Sequence, residues 1–221
     1  MKILALEFSS SQRSVAVVQT VPGAPGISIS EIVEPGRGAT RAAAMIAEAL
    51  REAKLARDQI ECLAVGLGPG SYTGIRAALA LAQGWQLARQ VKLIGLGSME
   101  CLAAQAQADG ITGRMTLVID AQRGEFYSGE CEIAGTRAVI APLRIVSQAE
   151  MSERAQSGDL LIGPEVSRWF PPGRDFFPRA ATLGKLALSR NDFVTGPELK
   201  PVYLRTTAFV KATAPRILPE A

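Results

Sequence analysis

Histidine is absent from all 221 residues of the chain. That removes the commonest general base near neutral pH, every Ser–His and Cys–His nucleophile pair, and every histidine-containing metal site. Cysteine is scarce: Cys62, Cys101 and Cys131 are far apart and odd in number. Such spacing makes neither a zinc site nor a disulfide framework, and suits buried, reduced thiols in a cytoplasmic protein. Long apolar runs are also missing, so no membrane span is expected. The opening run stops at Glu7, short of the apolar core of a signal peptide. A large charge of either sign is lacking too; the net charge of +3 demands no polyanionic partner. Catalysis by carboxylate, lysine or hydroxyl survives these exclusions.

What is present is apolar and orderly. Hydrophobic residues make up 48% of the chain, enough for a sizeable core in one large domain or two small lobes. Branched apolar runs at 3–6 and 15–18, joined by the polar stretch EFSSSQRS, predict two antiparallel strands with a hydroxyl-rich turn. Residues 27–34 alternate as a third strand, and PGRG at 35–38 breaks the chain before an alanine-rich helix over 39–55. Strands are expected over 60–68 and 92–98, with a helix over 99–108. The pattern then restarts. A strand at 116–120 ending in Asp120, a polar turn AQRGE and a return strand at 126–133 repeat the unit built from residues 3–18. This duplication predicts two lobes, 1–110 and 111–221, parted by the breakers of ADGITG. Later come a strand over 160–164, a loop over 170–178, a helix over 181–190 and a closing strand over 201–205.

Between 168 and 216, nine Lys or Arg stand against three acids. This stretch reads either as a solvated surface or as a face near RNA phosphates, although no motif of interleaved aromatics accompanies it.

The most distinctive segment is GLGPGSYTGIRAALALAQGWQLA, residues 66–88. It is not a Walker A loop, because Gly70 is followed by Ser71 and Tyr72 and no lysine is present. Nor is it a dinucleotide fingerprint, since no acid-ended strand lies where the ribose contact would be. Gly68, Pro69 and Gly70 allow a tight turn. Ser71 or Thr73 can cap the helix that follows, whose first amides could also contact an anion. Along that helix Ala77, Ala80, Gly84 and Ala88 form a stripe of small side chains, while Ile75, Ala78, Leu79 and Ala82 make other faces apolar. Two outcomes stay open: a wide stripe against the protein's own sheet, or a surface for another protein's helices.

GPGSYTGIR at 68–76, GLGSMECLA at 95–103, DAQRGEFY at 120–127 and PVYLR at 201–205 occur in an order that resembles the TsaB family, also called YeaZ. The resemblance spans residues 1 to about 205. It implies an α/β protein of the two-lobed actin/hexokinase/Hsp70-like ATPase (ribonuclease H-like) fold, with mixed sheets flanked by helices. It implies a non-catalytic scaffold subunit that pairs with the catalytic subunit TsaD, joined by TsaE, in the modification of tRNA adenosine to threonylcarbamoyladenosine. The tRNA would be engaged through the complex, and a homodimer is the alternative state of the chain alone. On this resemblance the interface consists of Ala42, Met45, Ile46 and Ala49 on the first helix and Ala77, Ala80, Leu81, Gly84 and Ala88 on the second. No tightly bound cofactor and no metal are expected, although ADP or ATP could join at the partner complex.

The family usually ends its first strand in Asp and Thr, where this chain has Glu7 and Phe8. Its usual His-Ser pair before the first long helix is replaced by Ala39, Thr40 and Arg41. Glu7, Ser9, Ser10 and Asp120 are therefore read as a vestigial nucleotide site. The competing function is an ATPase or small-molecule kinase of the same fold, using Glu7 or Asp120 with Ser9, Ser10 and Ser11. A glycoprotease reading has little behind it, because Ser71 lacks a base.

Overall fold

The structure is a computed structural model and describes residues 1–21, 23, 26–34, 41–135 and 137–204. The first sheet contains β1 (Lys2–Glu7), β2 (Arg13–Thr20), β3 (Ile27–Glu34), β4 (Cys62–Gly66) and β5 (Lys92–Leu96) in the order β3-β2-β1-β4-β5. β1–β2 and β2–β3 are antiparallel, whereas β1–β4 and β4–β5 are parallel. The second sheet contains β6 (Gly113–Gln122), β7 (Glu125–Ala134), β8 (Arg137–Ile140), β9 (Arg144–Ser147), β10 (Leu161–Gly163) and β11 (Arg174–Asp175). Its path is β11-β10-β6-β7-β8, with β9 pairing β7. Each sheet thus joins an antiparallel hairpin to two parallel strands. The duplicated strand–turn–strand pattern is the sequence trace of that repeat.

Helices α1 (Ala42–Glu52) and α2 (Tyr72–Arg89) cover one face of the first sheet. Helix α5 (Ala180–Leu188) covers the other. The side chains of β1 divide accordingly: Leu4 and Leu6 pack with α1 and α2, Ile3 and Ala5 with α5. A strand buried on both faces must read as a continuous apolar run, which is how KILALE reads. Helix α3 (Ser98–Ala108) sends Met99, Leu102, Ala103 and Ala106 into the core of the second sheet. Cys101 on the same helix joins the α5 side of the first sheet. Helix α4 (Gln148–Gln156) places Met151 in a separate cluster with Phe126 and Phe170.

Residues 110 and 111, where the expected lobes meet, lie between α3 and β6. Residues beyond them nevertheless return to the first sheet. The amides of Ala180 and Ala181 donate to Ser14 Oγ (2.7 Å) and Glu31 Oε1 (3.0 Å). Arg179 clamps the same Glu31 through Nε (3.2 Å) and Nη2 (2.6 Å). Val194 and Leu199 then pack into the core under α2.

The expected helix over 39–55 is shorter in the structure, Ala42–Glu52, and residues 35–40 lie outside the described residues. Its end is set by Lys54 at φ 53°, a left-handed residue after which Leu55 N–H donates back to Leu50 O. The closing strand expected over 201–205 is absent: residues 201–204 form no strand, and Arg205 is not among the described residues. Instead Val202 N–H donates to Leu67 O at 2.9 Å, so one hydrogen bond replaces a ladder. The basic stretch is partly committed to ion pairs, Arg179 with Glu31 and Arg190 with Glu100 and Asp192. Its residues 205, 211 and 216 are outside the described set. No described helix is long and apolar enough to cross a membrane.

Candidate functional site: a bare helix face beside a sealed carboxylate

The glycine-rich loop is pinned by its own backbone. Leu67 N–H donates to Leu96 O and Ser98 N–H to Gly68 O, both at 2.8 Å. Ser71 N–H donates to Ser9 O at 2.6 Å, tying the loop to the β1–β2 turn. Ser71 is the N-cap of α2, and its Oγ accepts from Gly74 N–H at 3.3 Å. Of the two residues offered as the cap, Ser71 takes the role, while Thr73 lies inside the helix and is exposed. Two glycines have steric reasons. A Cβ on Gly70, at φ 144°, would overlap Ser9 O, and a Cβ on Gly74 would overlap Phe8 O. The Ser71 amide is spent on Ser9, so the anion contact expected around Gly68, Gly70, Ser71 and Thr73 loses that donor.

Of the four residues read as a vestigial nucleotide site, Glu7, Ser9 and Ser10 lie together at the end of β1, and Asp120 lines a cleft with Ser11. Glu7 is fully buried; its Oε1 accepts from Ser9 N–H (2.8 Å) and its Oε2 from Ser98 Oγ–H (3.1 Å). It abuts Gly66, where a Cβ would collide with the carboxylate. Ser9 is buried, and buried Ser10 donates through Oγ to Gln12 O at 2.7 Å. Asp120 lines a cleft of about 370 Å3 between the β1–β2 turn and the second lobe, with Ser11, Arg123, Glu165 and Trp169. There Asp120 accepts from the backbone and side-chain amides of Gln122 at 2.7 and 2.9 Å. Glu165 accepts from Ser11 Oγ–H at 2.8 Å. Among the described residues no hydrogen bond joins Glu7 to Asp120. Glu7 accepts from Ser98 inside the core, and Phe8 beside it is buried.

Burial raises the Glu7 pKa, and hydrogen bonds from Ser9 and Ser98 only partly oppose it. The native protein therefore holds a proton that the unfolded chain releases above its ordinary 4.5. Stability is expected to fall as pH rises from there through the raised value. Glu7→Gln keeps an acceptor for the Ser9 amide and removes the charge. Urea unfolding from pH 4.5 to 8.5 is expected to show the variant gaining on the wild type as pH rises; parallel curves would contradict the sealed carboxylate. The three thiols are buried as expected. Burial pushes Cys62 up to about 12 and raises Cys101 and Cys131. They are therefore poor nucleophiles near neutral pH.

The helices divide the expected interface in two. Met45, Ile46 and Ala49 are buried beneath α1 in the protein's own core, with Ala42 packed at its edge. That part of the expectation is corrected: an amphipathic stripe beside a β2–β3 surface of Val15, Val17 and Ile32 is used at home. The outward face of α1 carries Ala43, Ala44, Ala47 and Glu48, all exposed.

Helix α2 differs. Ile75, Ala78, Leu79 and Ala82 face the sheet. Ala77 and Leu81 are half-buried, whereas Ala80, Gly84 and Ala88 are exposed. Leu87 is 88% exposed on the same face and is absent from the interface expected from the sequence. Its spacing, three after Gly84, was the available signal. Among the described residues, a Cβ on Gly84 would meet nothing within 4 Å, so none of them requires glycine there. A helix-interior glycine costs about 1 kcal/mol relative to alanine, so its use here has no explanation within the fold.

The repeated lobes define the class: a two-lobed α/β protein with a mixed sheet in each lobe, its first-lobe carboxylate buried and one helix face bare. The family model described as TsaD: tRNA N6-adenosine threonylcarbamoyltransferase matches residues 38–189. The tRNA threonylcarbamoyladenosine biosynthesis protein TsaB of Escherichia coli K12 is 29% identical over 130 residues, 59% of this chain and 54% of that protein. The protein of the same name from Bacillus subtilis 168 is 28% identical over 131 residues, 58% of this chain and 56% of that one. The matches thus span about half the length of these curated relatives. The solved structure of YeaZ from Pseudomonas aeruginosa superposes with a TM-score of 0.73 at 25% identity, covering 92% of this chain and 99% of that one. The chain belongs to this family, among its TsaB/YeaZ members.

Proposed function

We propose that the chain serves tRNA threonylcarbamoyladenosine biosynthesis as a non-catalytic subunit. In this reading the bare face of α2, flanked by the outward side of α1, receives a TsaD-like catalytic subunit. A TsaE-like ATPase joins the pair, and tRNA is engaged through the assembly. The observation that carries the reading is Gly84 facing open space beside an 88% exposed Leu87. A close helix approach explains both, because small residues let two backbones near each other and a bare leucine gains by burial. The relatives named TsaB support the pathway.

The competing reading, an ATPase or small-molecule kinase, draws on Ser11 and Asp120 sharing one cleft. Against it, Glu7 is withdrawn into the core. The test is to assay ATP hydrolysis and threonylcarbamoyl transfer to tRNA with the chain alone, the TsaD-like and TsaE-like subunits without it, and all three together. The expected result is no turnover by the chain alone and a gain in transfer when it is added. ATP turnover by the isolated chain would overturn the proposal.

A further inference from the structure

The bare face of α2 ends, at its first turn, in a built cluster rather than in more small residues. Arg76 lays its guanidinium over the Tyr72 ring, with Cζ 4.0 Å from the centroid. Its Nε–H donates to the Tyr203 hydroxyl at 3.1 Å. The two tyrosine rings lie against each other with centroids 5.9 Å apart and planes tilted by 32°. Tyr203 comes from the far end of the chain and is held there by the Val202–Leu67 backbone bond. The rings nevertheless stay open to solvent, Tyr72 at 55% and Tyr203 at 48%.

Two features of this cluster are not explained by the fold. Among the described residues Arg76 contacts Tyr72 and Tyr203 and no carboxylate. Helix α2 itself, YTGIRAALALAQGWQLAR, contains no acid. An exposed arginine normally samples many rotamers, and fixing it costs side-chain entropy. Here a ring below and a hydroxyl on Nε fix it, while both terminal nitrogens point to no acid of the described chain. A planar fork held in one orientation matches a carboxylate's two oxygens. Tyrosine and arginine are also the side chains that most often anchor protein interfaces.

We propose that Arg76, held between Tyr72 and Tyr203, receives an Asp or Glu carboxylate of the protein that covers α2. That acid would sit beside the partner segment lying along Ala80, Gly84 and Leu87. Tyr203 is then a positioning residue: its hydroxyl orients the guanidinium. The inference rests on the reading of α2 as a subunit interface, and the experiment separates the two.

The test is calorimetric titration of the full chain with the TsaD-like catalytic subunit of the same organism, at low and moderate salt. Wild type, Arg76→Gln, Arg76→Lys, Tyr203→Phe and Leu87→Glu are compared, with melting temperatures measured for each. Arg76→Gln is expected to weaken binding by about 30-fold and to flatten its salt dependence. Arg76→Lys is expected to restore the salt dependence but only part of the affinity, and Tyr203→Phe to lose a few-fold. Loss of binding in Leu87→Glu with Arg76→Gln within about twofold of wild type and an unchanged salt slope would overturn the carboxylate proposal and leave the interface standing. Wild-type affinity in Leu87→Glu, or no binding by the wild type, would overturn both.

Discussion

Gly74→Ala is expected to lower the unfolding free energy by about 3 kcal/mol or more, an unusually large effect for one added methyl group. The added Cβ would overlap the carbonyl oxygen of Phe8, and neither side can yield cheaply. On one side is the first turn of α2, capped by Ser71. On the other is the buried turn leaving β1, whose next carbonyl accepts from Ser71 N–H. Ten residues along the same helix, Gly84→Ala is expected to raise stability by roughly 0.5–1 kcal/mol, because open space meets the new methyl and glycine's backbone entropy is removed. Urea unfolding of the two variants against wild type reads both signs. Equal and small effects would mean that the loop does not rest on the β1–β2 turn.

The second large effect concerns binding rather than folding. Gly84→Glu and Leu87→Glu place a carboxylate on the bare stripe. In the free protein both side chains reach solvent, since Gly84 is exposed and Leu87 is 88% exposed. Melting temperatures are therefore expected to stay within about 2 °C of wild type, as for ordinary surface substitutions. In a close helix contact the same charge would be buried without a partner, and affinity for the TsaD-like subunit is expected to fall by about 100-fold or more. A matching Glu at Ala43 on the outward side of α1 measures how far the contact spreads. Folded Gly84→Glu protein with unchanged affinity would remove α2 from the interface.

How much of this was legible in the sequence depends on what kind of information each feature carries. The central strands announced themselves, because KILALE and CLAVG are buried on both faces and so are apolar throughout. The duplicated unit was readable because each lobe repeats a local hairpin, β1–β2 and β6–β7. A cap at Ser71 or Thr73 was readable because capping acts over three residues, and the structure selects Ser71. What escaped was set by distant partners. Met45, Ile46 and Ala49 carry the same periodicity whether they meet a neighbour's helix or β2, and only the position of the sheet decides. Glu7 ends its strand as an aspartate would, yet its side chain is claimed by Ser98, 91 residues away. Residues 201–204, Pro-Val-Tyr-Leu, have the apolar composition of a strand, but the chain runs past α2 with Tyr203 on Tyr72 rather than pairing with a sheet. The exposure of Leu87 likewise follows from which side of α2 the first sheet occupies.

The bare face of α2 can be tested without any substitution. Hydrogen exchange followed by mass spectrometry, on the full chain alone and saturated with the TsaD-like subunit, would map the surface that becomes covered. The account predicts protection concentrated in peptides spanning residues 72–89, with weaker protection in 42–52 and none at the cleft holding Asp120 and Glu165. Protection confined to that cleft, with α2 exchanging as it does in the free chain, would contradict it.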